Sequence, residues 1–143
     1  MEQTRGATDE LPVDRLVLID ATGVVGRCRD FVQASLAARG WLDDPGEEQL
    51  AVVEDVLLMT SELVTNACLH AGGPSELAVS GSGHGGLRIE VLDPSPEPPT
   101  LRPLAVPARP GGHGLRVVER LARNWGSETR SEGKAVWFEI DRA

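Results

Sequence analysis

Long apolar runs are missing from this chain. No stretch approaches the roughly 20 consecutive apolar residues that a membrane-spanning helix needs, so no membrane association is expected. Basic residues are in the minority: 14 Lys and Arg stand against 22 Asp and Glu, a formal net charge of −8. That balance argues against sequence-independent nucleic-acid binding, which works by neutralising phosphates with Lys and Arg. Cysteine is scarce, with two residues in all. Cys28 and Cys68 each fall inside a helical pattern without metal-site spacing, and both read as buried, reduced thiols. Residues 1–12, MEQTRGATDELP, are polar and acidic, so no signal or transit peptide is expected there and they read as a frayed terminus. A cytoplasmic location is expected.

What is present suits one ordinary domain. The 143 residues are 41% hydrophobic, enough for one core over residues 13–143. RLVLID (15–20) is a short apolar run suited to a strand. From Val24 the period becomes helical, with Cys28, Phe31, Val32, Leu36 and Ala37 recurring every three or four residues, and Gly40 is placed to stop the helix. Residues 47–71 form the longest helical pattern. One side carries Val53, Val56, Leu57, Thr60, Val64, Ala67 and Ala71. A second stripe carries Asp55, Met59, Glu62, Asn66 and His70.

Two alternating runs, SELAVSGSG and GLRIEVLD, meet at Gly83, His84 and Gly85, the pattern of a hairpin. Residues 93–110 then hold seven of the ten prolines, a density that excludes a helix or a central strand. A further helix is expected after GGHGL, and NWGSETRSE and GKAVWFEID read as a closing strand pair. The order predicts an α+β fold: a two-layer sandwich with a mixed, mostly antiparallel sheet and helices packed on one face.

Three places carry chemistry. Glu62 and Asn66 stand one turn apart on one helix face. An Asn carbonyl suits a hard cation such as Mg²⁺, and a Glu can accept a proton from an attacking hydroxyl; a solvated stripe has the same spacing. The glycines of GGHGL open a helix, where free amides suit an anion and a hinge is equally served. Asp93 ends a strand, where its carboxylate fits either an exocyclic amine or the start of a turn before Pro94.

Taken together, these segments resemble the GHKL ATPase superfamily. ELVTNACLHA resembles its N box, VLDPSPEPP its first glycine box, GGHGLRVVERLA its second, and GKAVWFEI its last core strand. Within that superfamily the chain looks most like the small stand-alone anti-sigma-factor serine kinases of bacterial partner-switching systems. The resemblance covers roughly residues 15–141.

It implies a histidine-kinase-like ATPase fold binding ATP and Mg²⁺. Asn66 would hold the metal, Glu62 would be the catalytic base, and Asp93 would read the adenine amine. Gly112, His113, Gly114 and Leu115 would wrap the phosphates, with a lid at about residues 93–111. His70 extends the same stripe toward the nucleotide, and it also suits the negative end of a helix. The implied partners are a sigma factor and an anti-anti-sigma antagonist carrying the acceptor serine, and a homodimer is compatible with the resemblance. The alternative is a nucleotide-dependent partner-binding regulator of the same fold with weak or no transfer. The chain departs from the family pattern at Pro94 to Pro96, where glycines are usual. It departs also at Ala135, where a Thr supporting the adenine-reading Asp is expected, and at Arg109, the nearest match to an arginine before the second glycine box.

Overall fold

The computed structural model describes residues 13–18, 22–70, 72–83, 85–95 and 114–143. Among them the elements are β1 (Asp14–Val17), α1 (Val24–Ala38), α2 (Glu47–His70), β2 (Glu76–Ser82), β3 (Gly86–Asp93), α3 (Gly114–Leu121), β4 (Asn124–Arg130) and β5 (Gly133–Ile140). This is the order expected from the sequence. The strands make one sheet in the order β1-β2-β3-β5-β4, with every neighbouring pair antiparallel.

Strand alternation divides the sheet into two faces. Leu77, Val79, Leu87, Ile89, Val91, Val136, Phe138 and Ile140 share one face and join Val32, Leu36, Val56, Val64, Leu115 and Val118 of the helices in a single core. The fold is therefore α+β, with the helices layered on one side. The other face is polar. There Arg88 stacks over the Trp137 ring at 4.1 Å and pairs with Glu90 at 2.9 Å and Glu139 at 3.2 Å. Burial works against its charge, but these hydrogen bonds outweigh it and raise the guanidinium pKa.

Local chemistry sets the element ends. Gly40, at φ 83°, closes α1: its amide bonds the Ala37 carbonyl at 3.1 Å and the Trp41 amide bonds the Leu36 carbonyl at 3.0 Å. That double bond pattern is a Schellman cap, which needs a left-handed residue. Its usual hydrophobic partners are here too, since Leu36 and Trp41 are both buried. Arg39, the last residue of that turn, reaches Asp14 at 3.4 Å and the Val79 carbonyl at 3.2 Å, tying α1 to β1 and β2. At the start of α2, Glu47 and Glu48 lie in the first turn, where carboxylates complement the helix dipole. Gly72 and Gly73 end it at φ 78° and 107°.

Two expectations are corrected. Met59 belongs to the polar stripe in the sequence reading, yet it is fully buried. Met59 stands three and four residues from the buried Val56 and Leu63, so the buried arc of α2 reaches into that stripe. Cys68 is exposed rather than buried, whereas Cys28 is buried as expected. Burial pushes the Cys28 thiol up to about 11, and raises Cys68 in the same direction. The thiolate is the reactive form, and at pH 7.5 a thiol of that pKa is ionised in only about one molecule in three thousand. A thiol reagent is therefore expected to modify one cysteine in the folded protein and the second only after denaturation. Equal rates for the two would show that Cys28 is accessible.

Candidate functional site

One end of the sheet gathers the chemistry. There β1, β3 and β4 finish, while β2 and β5 begin. The α2 chain is brought to that end by its glycine turn. Gly73 donates to the Ala67 carbonyl at 2.9 Å, Ser75 donates to the Leu92 carbonyl at 2.7 Å, and Leu18 donates to the Ser75 carbonyl at 3.0 Å. The C-terminal turns of α2 and the end of β3 are thereby fixed to the same edge of the molecule.

Glu62 and Asn66 are both half-buried on α2, neither in the core nor fully in solvent. A purely solvated stripe would leave both exposed. His70 is the last residue of the helix. Gly114 opens α3, and the Leu115 side chain is buried in the core. What Leu115 has for a ligand is its backbone amide, one of the first-turn donors that a helix leaves unpaired. Gly112, His113, His84, Arg109 and most of the proline-rich segment lie outside the described residues.

Asp93 faces the helix layer, in register with Lys134. Its Oδ1 accepts from the Ser95 amide at 2.9 Å and from Lys134 Nζ at 3.0 Å. The amide bond, two residues on, is an Asx turn, so the carboxylate also starts the bend that leaves β3. Nζ reaches the Ser95 carbonyl as well, at 3.4 Å. The ion pair is deeply buried, with side-chain exposures of 8% for Lys134 and 3% for Asp93.

The support of this carboxylate differs from the sequence expectation. A hydroxyl at position 135 is the anticipated partner. However, Ala135 is opposite Leu92, and alternation turns both to the other face of the sheet. A side chain at 135 therefore points away from Asp93, and Lys134 holds it instead. The sequence does contain a signal for this, since Lys134 is the chain's only lysine and it follows the glycine that opens the closing strand.

Gly133 completes the edge. Its φ of 142° and its closeness to the end of β3 both demand glycine: an added Cβ would strike the Asp93 carbonyl oxygen and lie 2.7 Å from Pro94 Cα. The absent side chain lets β5 start directly against the Asp93–Pro94 peptide.

The described residues thus set a half-buried Glu–Asn pair, a buried strand-end carboxylate and a helix start within one α+β domain. The chain belongs to the histidine kinase-like ATPase domain family, whose model matches residues 22–140. No curated protein matches the chain at comparable significance. Membership in an ATPase domain family implies ATP as ligand. The residues present fit that ligand, because among the described residues no donor falls on Asp93 Oδ2 and Asn66 supplies a neutral oxygen donor. Among the described residues no group of three or more His, Cys, Asp or Glu is set to cage a metal. A Mg²⁺ ion accompanying the nucleotide would then take Asn66 and fill its remaining positions with phosphate oxygens and water, its usual preference. Among the described residues, no helix is long and apolar enough to cross a membrane.

Proposed function

We propose that this protein is an ATP-dependent protein serine kinase that restrains a sigma factor and phosphorylates a serine on that factor's small antagonist. The observation that carries the reading is the half-buried pair Glu62 and Asn66, carried on a helix anchored to the sheet edge that bears Asp93. In this reading Asp93 accepts the adenine amine and Asn66 holds Mg²⁺ against the phosphates. The amides opening α3 face the phosphate oxygens, and Gly112 and His113 are assigned to the same phosphates from their place in the sequence. Glu62 takes the proton of the acceptor serine as its oxygen attacks the γ-phosphorus, and the bond from that phosphorus to the β–γ bridging oxygen breaks to release ADP. Phosphoryl transfer depends mainly on positioning and charge neutralisation, so this short set of groups suffices. Modification of the antagonist weakens its hold on the kinase and leaves the kinase free for its sigma factor.

The test is calorimetric titration with ATP, with and without Mg²⁺, on the native protein and on Asn66→Ala. Saturable binding is expected that Mg²⁺ strengthens. Loss of an oxygen ligand is expected to weaken Mg²⁺-ATP binding by about tenfold or more, which corresponds to about 1.4 kcal/mol. Binding indifferent to both Mg²⁺ and Asn66 would sink the assignment of the metal to α2.

A further inference from the structure

The Asp93–Lys134 pair has a use beyond neutralising a buried charge. Both hydrogen bonds to the carboxylate fall on Oδ1. Among the described residues, none falls on Oδ2. Two donors on one oxygen hold the carboxylate plane, and the described residues leave the second oxygen as an acceptor.

The choice of donor matters. An ammonium group donates hydrogen bonds and cannot accept them, whereas a hydroxyl does both. A hydroxyl partner would tolerate a protonated Asp, whose O–H could turn toward a carbonyl on the ligand. Lys134 does not allow that exchange at Oδ1. It also supplies the counter-charge in a buried ion pair. With Lys134 in place, Asp93 presents an acceptor only.

We propose that Lys134 is a positioning residue that sets the purine preference of the site by fixing Asp93 through Oδ1, so that Oδ2 meets the base as an acceptor. The inference rests on the reading of Asp93 as the base contact. An acceptor at Oδ2 pairs with an exocyclic amine at purine position 6. It repels a 6-oxo group, because two acceptors then face each other in a buried place. A site built around a hydrogen bond rejects the mismatched ligand far more strongly than an apolar pocket rejects a change of size.

Three triphosphates measure this directly: ATP, purine riboside triphosphate with hydrogen at position 6, and inosine triphosphate with a carbonyl there. Calorimetric affinities are taken on the full chain and on Lys134→Met, Lys134→Gln and Lys134→Arg, with thermal melts to confirm folding. The native protein is expected to prefer ATP to inosine triphosphate by about a hundredfold or more. In Lys134→Met that ratio should fall to within about threefold, because Asp93 without its anchor no longer holds Oδ2 against the amine and ATP loses affinity. Purine riboside triphosphate, which makes no bond at position 6, should change little. Lys134→Arg should restore much of the preference. Lys134→Gln keeps a hydrogen bond but not the charge, and should lose most of it; this variant decides the matter if Lys134→Met does not fold.

Equal weakening of all three ligands would make Lys134 a structural support and overturn the proposal. So would an unchanged ATP-to-inosine ratio in the folded Met or Gln variant. Should the native protein treat the three purines alike, the assignment of Asp93 to the base falls first, and the role of Lys134 falls with it.

Discussion

Gly133→Ala is expected to lower the thermal unfolding midpoint by about 10 °C or more. Two costs combine. The backbone there sits at φ 142°, a region that L side chains rarely occupy and that costs about 1–3 kcal/mol. The new methyl would also meet the Asp93 carbonyl and the Pro94 backbone. Neither obstacle is the mobile tip of a side chain, so β5 must shift away from β3, and such overpacking costs about 1–3 kcal/mol more. For a domain of this size, a loss of 1 kcal/mol lowers the midpoint by about 3–4 °C. Because β5 carries Lys134 beside this contact, ATP affinity should fall together with stability. A melt by circular dichroism decides the point: a shift under about 3 °C would mean that the two strands separate at little cost.

Glu62→Gln should have the largest effect on chemistry. The amide keeps the shape of the side chain and its place on α2 but cannot take up a proton at neutral pH. A positioned general base contributes about 10²–10⁴ in rate, so transfer to a serine-bearing antagonist should fall by that factor. ATP affinity should stay within about threefold. Following labelled phosphate from ATP to the antagonist measures the first, and calorimetry the second. Undiminished transfer would move the base elsewhere. If the native protein shows no transfer at all but keeps nucleotide-dependent partner binding, the fold serves as a binding switch.

Much of the architecture was legible because local rules agree with tertiary packing. Gly40 ends α1 through a cap that any sequence with glycine at that place can form. Gly83 and Gly85 separate two alternating runs that do pair as β2 and β3. The candidate pair on α2 followed from four-residue spacing alone. What escaped the sequence depends on contacts between distant segments. Met59 looked polar-facing because nothing local announces how wide the buried arc of α2 is, and Cys68 looked buried because helical spacing does not fix which arc meets solvent. Lys134 was overlooked for a related reason. Its face is set by the register of β5 on β3, and a slip of one residue would exchange Lys134 for Ala135. That register is decided between strands separated by residues 94–132, which no local pattern spans.

This separation also governs when the site comes into being. The β2–β3 hairpin joins neighbours in sequence, and α2 carries Glu62 and Asn66 on a single continuous helix. The pairing of β3 with β5 must instead close the intervening chain, a loop whose entropy has to be met before its contacts reward it. Asp93 acquires Lys134 only at that closure. A chain arrested with its helices and hairpin formed would possess Glu62 and Asn66 and lack the Asp93–Lys134 pair. A ligand that needs both would bind the finished molecule alone, and by mass action it would add to the stability of that state without helping any partly folded one.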